Sequence, residues 1–519
     1  MSTFNDKIRV TYTDLTNYAN ISRGDILGCA FEYHWGETDK LLTLTKSDFY
    51  RMFPESAPLG TFTLNGNEGR YNAYTQIKRY FENGGNVVEV VRCKGSWQFY
   101  TKNVTSSATV SANANASQFP TASSSAKIEV ATKYAGMFPV SMIPDGCDGI
   151  AVELSYDSVN AILTVTVRGL VGSTPSTVIE KFAGGLVVGQ YRDGAPFYID
   201  DVVNNNSEYI NIKFTALPTS FTDATVTFSG LASMPTAITW TSTMLDEYFK
   251  DRMISNATMV ISPTSDESLN TAISAIANTR QNCLAITGFN IATTLTKANV
   301  ITAVTSGTKD KFTMFVACKE QATLFGQTVP SNGIGGWCGT TALVAENVRL
   351  NQLASAFTYG AYNGTLTATL SLDDAVDLMD NYGVTSIINT ATGNIIWGIK
   401  TTYNISTSYF AYANVMRVLS NFLRSAFPIA MSALHTDACS NMLTRSGFQQ
   451  KFTNIVDSLI AGQNLADDSY VDVMGELNSD ANTQGGKIFN VLCSLHFMKP
   501  VEEVVFHIVA TDSSVSVQF

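Results

Sequence analysis

Residues able to do chemistry are few in this sequence, and their spacing does not assemble a reactive site. The four histidines, His34, His435, His496 and His507, lack metal-ligand spacing and form no H-x-x-x-H pair. His496 and His507 alternate within strand-like runs, yet a satisfied or surface-facing pair fits them better than a metal site. Eight cysteines, at 29, 93, 147, 283, 318, 338, 439 and 493, include no C-x-x-C. Most sit in apolar runs such as "MFVAC" and "FNVLC", where cysteine behaves as a small buried hydrophobe. Reduced, buried thiols are therefore expected, with disulfides between subunits as the other reading.

Glycine-rich stretches fare no better. "NGIGGWCG" (332–339) misses the dinucleotide spacing and reads as a flexible loop, while "GGK" at 485–487 lacks the flanking residues of a phosphate loop. No G-x-S-x-G elbow is present. Of the acidic pairs Asp373-Asp374 and Asp467-Asp468, the first falls in the opening turn of a helix, where the helix dipole accounts for it. No residue earns a catalytic, cofactor-binding or metal assignment, so neither an enzyme nor a cofactor is expected.

The elements around these residues carry more information. Leading into and through "YFENGGNVVEVVRC" (80–93), Tyr74, Ile77, Lys78 and Phe81 hold helical spacing, and Val87–Val91 reads as a buried strand. A phosphate loop runs strand, glycines, helix, because a helix N-terminus presents free N–H groups. The order here is reversed, so Gly84 and Gly85 punctuate a helix C-terminus whose carbonyls would repel phosphate. The chain has 519 residues, enough for several domains, with 45% hydrophobic and only 15% charged residues, a composition suited to packing against copies of itself. A net charge of −11 without a basic run disfavours nucleic acid and anionic membrane as partners. The first residues lack an apolar core, and no stretch approaches the ~18 apolar residues of a spanning helix. Residence in a cytoplasm, with exit by lysis, is expected.

Residues 1–21 read as an arm, because Ile8, Val10 and Tyr12 alternate with polar residues and have no hairpin partner nearby in sequence. Val515, Val517 and Phe519 repeat that pattern at the C-terminus. Such lone amphipathic strands either join another molecule's sheet edge or pair within their own subunit. Residues 103–126, charge-free and rich in Ser, Ala, Thr and Asn, read as a surface loop, and alternating runs make 127–241 β-rich. After Met244 the rhythm changes: "ATMVISP", "CLAITG" and "FTMFVAC" alternate with helical stretches, which argues a mainly parallel sheet covered by helices. Thr264 with Glu267, and Ser371 with Asp374, look like helix starts. A long stripe from Tyr412 to Ala426 marks a helix, with Arg417 and Arg424 off the stripe and read as solvated or paired at a subunit contact. A second helix carries Phe448, Phe452, Ile455, Val456 and Leu459, and "KIFNVLCSLHFM" reads as a strand.

Taken together, these segments resemble the tail sheath proteins of contractile (myovirus-type) bacteriophages and their relatives. The opening "GDILGCAFEYHWGETDKLLTLTKSDFYRMFP", the segment "YFENGGNVVEVVRC", the middle runs "ATKYAGM" and "APFYIDDVVNNNSEYI", "GNIIWGIKTTYN" with its following helix, and "GGKIFNVLCSLHFMKPVEEVVFHI" occur in the family's order. Ile399-Lys400 departs from the small residue and arginine more usual there. The 103–126 and 332–339 stretches have no clear counterpart.

The resemblance implies an α+β / α/β multidomain chain. Its parts are an N-terminal arm (1–21), an α/β middle domain (22–102 and 242–384), a β-rich outer subdomain (103–241), a tube-facing C-terminal domain (385–510) and an arm strand (511–519). It further implies a subunit that polymerises with its own copies as stacked rings around a tail tube protein and contracts to drive the tube through the host envelope. Baseplate and tail terminator proteins would be partners, without nucleic acid or membrane, in a virion tail assembled in the host cytoplasm. Ile8, Val10, Tyr12, Val515, Val517 and Phe519 would exchange between subunits, and Gln449 or Lys451 would face the tube. The alternatives are the sheath of a phage-derived contractile injection system, or a non-contractile virion surface or adhesion protein.

Overall fold

The computed structural model describes residues 25–106, 109–115, 118–119, 127–217, 221, 223–230, 234–264, 266–438, 441–475, 478–479, 488–498, 507–510 and 515–518. Ile8, Val10, Tyr12 and Phe519 lie outside them.

An eight-stranded sheet forms the centre, ordered Leu41–Thr45, Val87–Arg92, Ile26–Phe31, Met259–Ile261, Leu284–Gly288, Thr313–Ala317, Val384–Thr390, Gly393–Trp397. The inner strands run parallel and one antiparallel strand closes each edge. Parallel strands need helices on their faces, and the sequence supplies them with local stop and start signals. Ser371 accepts from the Asp374 N–H to open the Leu372–Tyr382 helix, and Gly383 ends it at φ +67°. The Glu267–Arg280 helix starts two residues later than the Thr264 pattern suggests. Asp266 is its N-cap, accepting from Ser268, while Thr264 only receives the Asp266 N–H.

The Tyr80–Cys93 stretch folds as its order dictates. The Asn72–Glu82 helix ends at Asn83, Gly84 takes φ +101°, and the buried Val87–Arg92 strand follows. Gly85 is required sterically, since a Cβ there would meet the Tyr80 ring at 2.3 Å.

Two four-stranded antiparallel sheets make up the β-rich part. One is ordered Ile210–Phe214, Ile128–Thr132, Phe99–Ser106, Thr109–Asn115; the other Ala224–Ser229, Gly149–Asp157, Ile162–Val171, Thr174–Gly185. The expected 103–126 loop is therefore corrected over 103–106 and 109–115, which supply strand. Small polar residues alternate there without the apolar contrast that marks a strand in sequence, and Ile128–Thr132 provides the pairing edge. A boundary at 102/103 would cut the Phe99–Ser106 strand, and one at 384/385 would cut Val384–Thr390. The latter strand pairs parallel with Thr313–Ala317 and belongs to the central sheet. One continuous apolar core joins Val88 and Val90 of the central sheet to Val104, Ile128 and Ile150 of the β-rich sheets. A separate core holds the Ala413–Ala433 and Met442–Ala461 helices together through Val418, Phe422, Phe448, Phe452 and Val456.

Candidate functional site

The terminal strands are the first candidates. Val515–Gln518 pairs antiparallel with His507–Ala510, with Val515 opposite Ala510 and Val517 opposite Ile508. Of the two sequence readings, pairing within the subunit is thus realised for this strand. The pair forms a two-stranded sheet to which no third strand is added among the described residues, so main-chain groups on both outer edges face no ladder partner there.

The tube-facing candidates differ from each other. Gln449 spends its amide inside the chain: Nε2 donates to the Val471 carbonyl at 2.6 Å, and Oε1 accepts from the Val473 N–H at 2.7 Å. That clamps the Met442–Ala461 helix to the short Tyr470–Asp472 strand. Lys451 is exposed, its ammonium 5.0 Å from the Phe448 ring centre. "KIFNVLCSLHFM" contributes only the Leu492–Ser494 strand among the described residues, paired to Tyr470–Asp472.

Potential reactive groups are quenched by their surroundings. Burial pushes the Cys93 thiol up to about 12 and the Cys493 thiol to about 11, and it raises Cys29, Cys283, Cys318 and Cys338 as well. All described cysteines are free thiols; Cys439 lies outside the described residues. His34 is fully buried, and burial holds its imidazole well below the usual range. His496 pairs with Asp468 at 2.5 Å on the surface, so that member of the acidic pair is a local ion-pair partner. A cavity of about 240 Å³ opens between the Glu267–Arg280 and Lys297–Ser306 helices. The hydroxyls of Thr271, Ser274, Thr302 and Ser306 on its walls donate to carbonyls of their own helices, and no histidine, cysteine or lysine lines it.

The side chains that organise the interior are arginines, which stripe logic did not find. Arg417 is buried, donating to Asp25 Oδ2 at 2.5 Å and to the Gln352 carbonyl at 3.2 Å. The solvated or subunit-contact reading is therefore corrected for Arg417, because a helix covered on several sides has no single solvent face. Arg424 is half-buried, and burial lowers its pKa. Arg79 grips Glu320 with Nε and Nη2, both at 3.0 Å, while Tyr362 donates to the same carboxylate. Arg92 donates to three carbonyls, and burial lowers it to about 9.

"NGIGGWCG" also departs from expectation. Gly333, at φ +69°, caps a buried helix, Ile334–Asn347, that lies against Asn72–Glu82. A Cβ on Gly335 would sit 1.9 Å from the Gln76 carbonyl oxygen, and one on Gly339 would sit 2.2 Å from that of Tyr80. The glycines let two backbones touch, which is an architectural role.

No protein-family model matches the chain, and no curated protein matches it. Among solved structures, the sheath tail protein from Desulfitobacterium hafniense is similar at TM-score 0.50 and 12% identity, over 87% of this chain and 90% of its own. The sheath tail protein from Listeria innocua reaches TM-score 0.54 at 11% identity, over 87% and 89% respectively. The chain has the sheath tail protein fold. The likeness runs over most of both chains, so this mixed α/β architecture with several sheets is shared as a whole and is not confined to one motif.

Proposed function

We propose that this chain is the structural subunit of a contractile tail sheath, polymerising around a tail tube and shortening to drive it through a host envelope. The observation that carries this reading is the sheath tail fold extending over 87% of the chain. Its role is structural, without a catalytic step, and the work of contraction comes from subunit packing. In this reading residues 1–21 and 511–519 are arms, and the middle domain, the outermost part and the tube-facing part follow 22–102 with 242–384, 103–241 and 385–510, with the junctions moved so that Phe99–Ser106 and Val384–Thr390 stay whole. Ile8, Val10 and Tyr12, with Val515, Val517 and Phe519, add strands to neighbouring copies. Each main-chain hydrogen bond so formed contributes about 0.5–1.5 kcal/mol net. The open edges of the C-terminal strand pair suit such an addition. Lys451 is the better tube contact, since Gln449 is already engaged. Tube, baseplate and terminator proteins complete the partners in a virion tail assembled in the host cytoplasm.

Negative-stain electron microscopy of the full-length protein with its matching tube protein tests this. Long hollow tubes of regular diameter are expected, and dispersed particles would overturn the reading. Deleting 1–15 or 511–519 should leave folded subunits that build no long tubes, whereas normal tubes from either deletion would remove the arms from the mechanism.

A further inference from the structure

The chain crosses twice between the central sheet and the β-rich sheets, once over 93–98 and once between Ser229 and Ser242, where 230 and 234–241 are described. Both crossings converge on one side chain. Glu32 directly follows the Ile26–Phe31 strand and is 1% exposed. Its Oε1 accepts the Trp97 indole N–H of the first crossing at 3.1 Å, and its Oε2 accepts the Ile238 backbone N–H of the second at 3.0 Å. Arg70 neutralises the carboxylate, with Nε 2.7 Å from Oε1. It also donates through Nη2 to the Pro235 carbonyl at 2.6 Å and stands 5.5 Å from the centre of the Trp97 ring. The crossings also touch each other: Gly95, at φ +53°, lies so close to Ile238 that a Cβ would fall 2.4 Å from its Cγ1.

We propose that Glu32 is a clamp that fastens both crossings at once, so that the β-rich sheets and the central sheet move as one body. A buried carboxylate is costly to keep, and its bonds here go to the two connections rather than to its own strand's neighbours. The arrangement at the same junction agrees with this. Arg92 reaches from the central sheet to the Ala135 carbonyl at 2.5 Å, and the Gly136 N–H donates to the Gln98 carbonyl at 2.9 Å. Ser96, Gln98 and Ala237 of these crossings are exposed, so what pins them is the set of bonds at buried Trp97 and half-buried Ile238. The inference concerns the free subunit and holds or fails independently of the sheath reading.

Hydrogen exchange with peptide resolution on the full-length chain tests it, comparing wild type with Glu32→Ala, Glu32→Gln and Trp97→Phe. In Glu32→Ala, exchange of the Ile238 amide and of both crossings should rise about 10- to 100-fold, the loss expected for hydrogen bonds to a charged group. The strands Met259–Ile261 and Leu284–Gly288 should keep wild-type rates. Glu32→Gln keeps an acceptor and should recover part of the protection. Trp97→Phe, which removes one donor and keeps a smaller aromatic ring, should loosen 93–98 alone, and it keeps the test decisive if Glu32→Ala fails to fold. Wild-type rates at both crossings in Glu32→Ala or Glu32→Gln, or a rise spread evenly over the central sheet, would overturn the clamp. So would wild-type rates at 93–98 in Trp97→Phe.

Discussion

Replacing Gly335 by alanine puts the helix-against-helix reading at risk in a single residue. In an ordinary helix interior the change is favourable by up to about 1 kcal/mol, because alanine has the better helix propensity. Here the new Cβ would lie 1.9 Å from the Gln76 carbonyl oxygen, far inside the 3.0 Å that real Cβ contacts respect, and the obstacle is backbone. The Ile334–Asn347 and Asn72–Glu82 helices would have to part by about 1 Å. That motion strains the bond from the Gly335 N–H to Gln76 Oε1, now 2.8 Å, and disturbs a contact buried on both sides. Overpacking of this kind costs about 1–3 kcal/mol, and the collision with main chain sets the expectation at the upper end after the propensity gain is subtracted. Gly447, in the Met442–Ala461 helix, is the control: a Cβ there meets nothing within 4 Å. Urea denaturation should show Gly335→Ala less stable than the parent by about 2 kcal/mol and Gly447→Ala more stable by up to about 1 kcal/mol. A Gly335→Ala protein at least as stable as the parent, with an unchanged denaturant slope, would refute the close backbone approach.

Two further outcomes follow from buried charges. Arg417→Leu leaves Asp25 buried without its counter-ion and should cost about 3–5 kcal/mol, whereas the double variant Asp25→Leu with Arg417→Leu should recover much of that. A denaturation cycle in which the losses simply add would disprove the pairing. Asp200, which accepts the Phe214 N–H, is raised to about 6 by burial. Its folded pKa lies above the usual carboxylate value, so its contribution is full below about pH 4 and is lost as pH rises through about 6. The parent should therefore lose stability relative to Asp200→Asn between those limits in pH-resolved denaturation; parallel curves would contradict the assignment.

What the sequence revealed was what short-range chemistry determines. Ser371, Asp374 and Gly383 mark both ends of a helix within thirteen residues, and Asn83-Gly84-Gly85 separates helix from strand by local backbone preference. The failures share a cause in distant partners. Residues 332–339 look like a loop because glycine is a poor helix former, and the reason for Gly335 lies on a helix 259 residues earlier, where its N–H donates to Gln76. Arg417 looks solvent-facing because its partner, Asp25, is 392 residues away. The strand pattern at the C-terminus was legible, but alternation specifies a pairing edge and leaves the identity of the partner open. For Val515–Gln518 the partner is His507–Ala510, only a few residues earlier in the apolar run "VVFHIVA".

The Ala413–Ala433 helix adds a mechanical consequence. It is about 30 Å long at about 1.5 Å per residue. Its first turns are buried in the large core through Ala413 and Met416, and its middle lies in the separate C-terminal core through Val418, Phe422 and Ala426. The two cores are thus joined by continuous helix over 413–426, ahead of the helix's interior Pro428, instead of by a loop. Arg417 sits where the two cores meet and is bound to Asp25, the residue at which 1–24 enter the described fold. One buried ion pair, Arg417 with Asp25, thus lies where the first described residues meet the helix that joins the two cores. Breaking that pair should uncouple the two ends of the subunit before it unfolds either core.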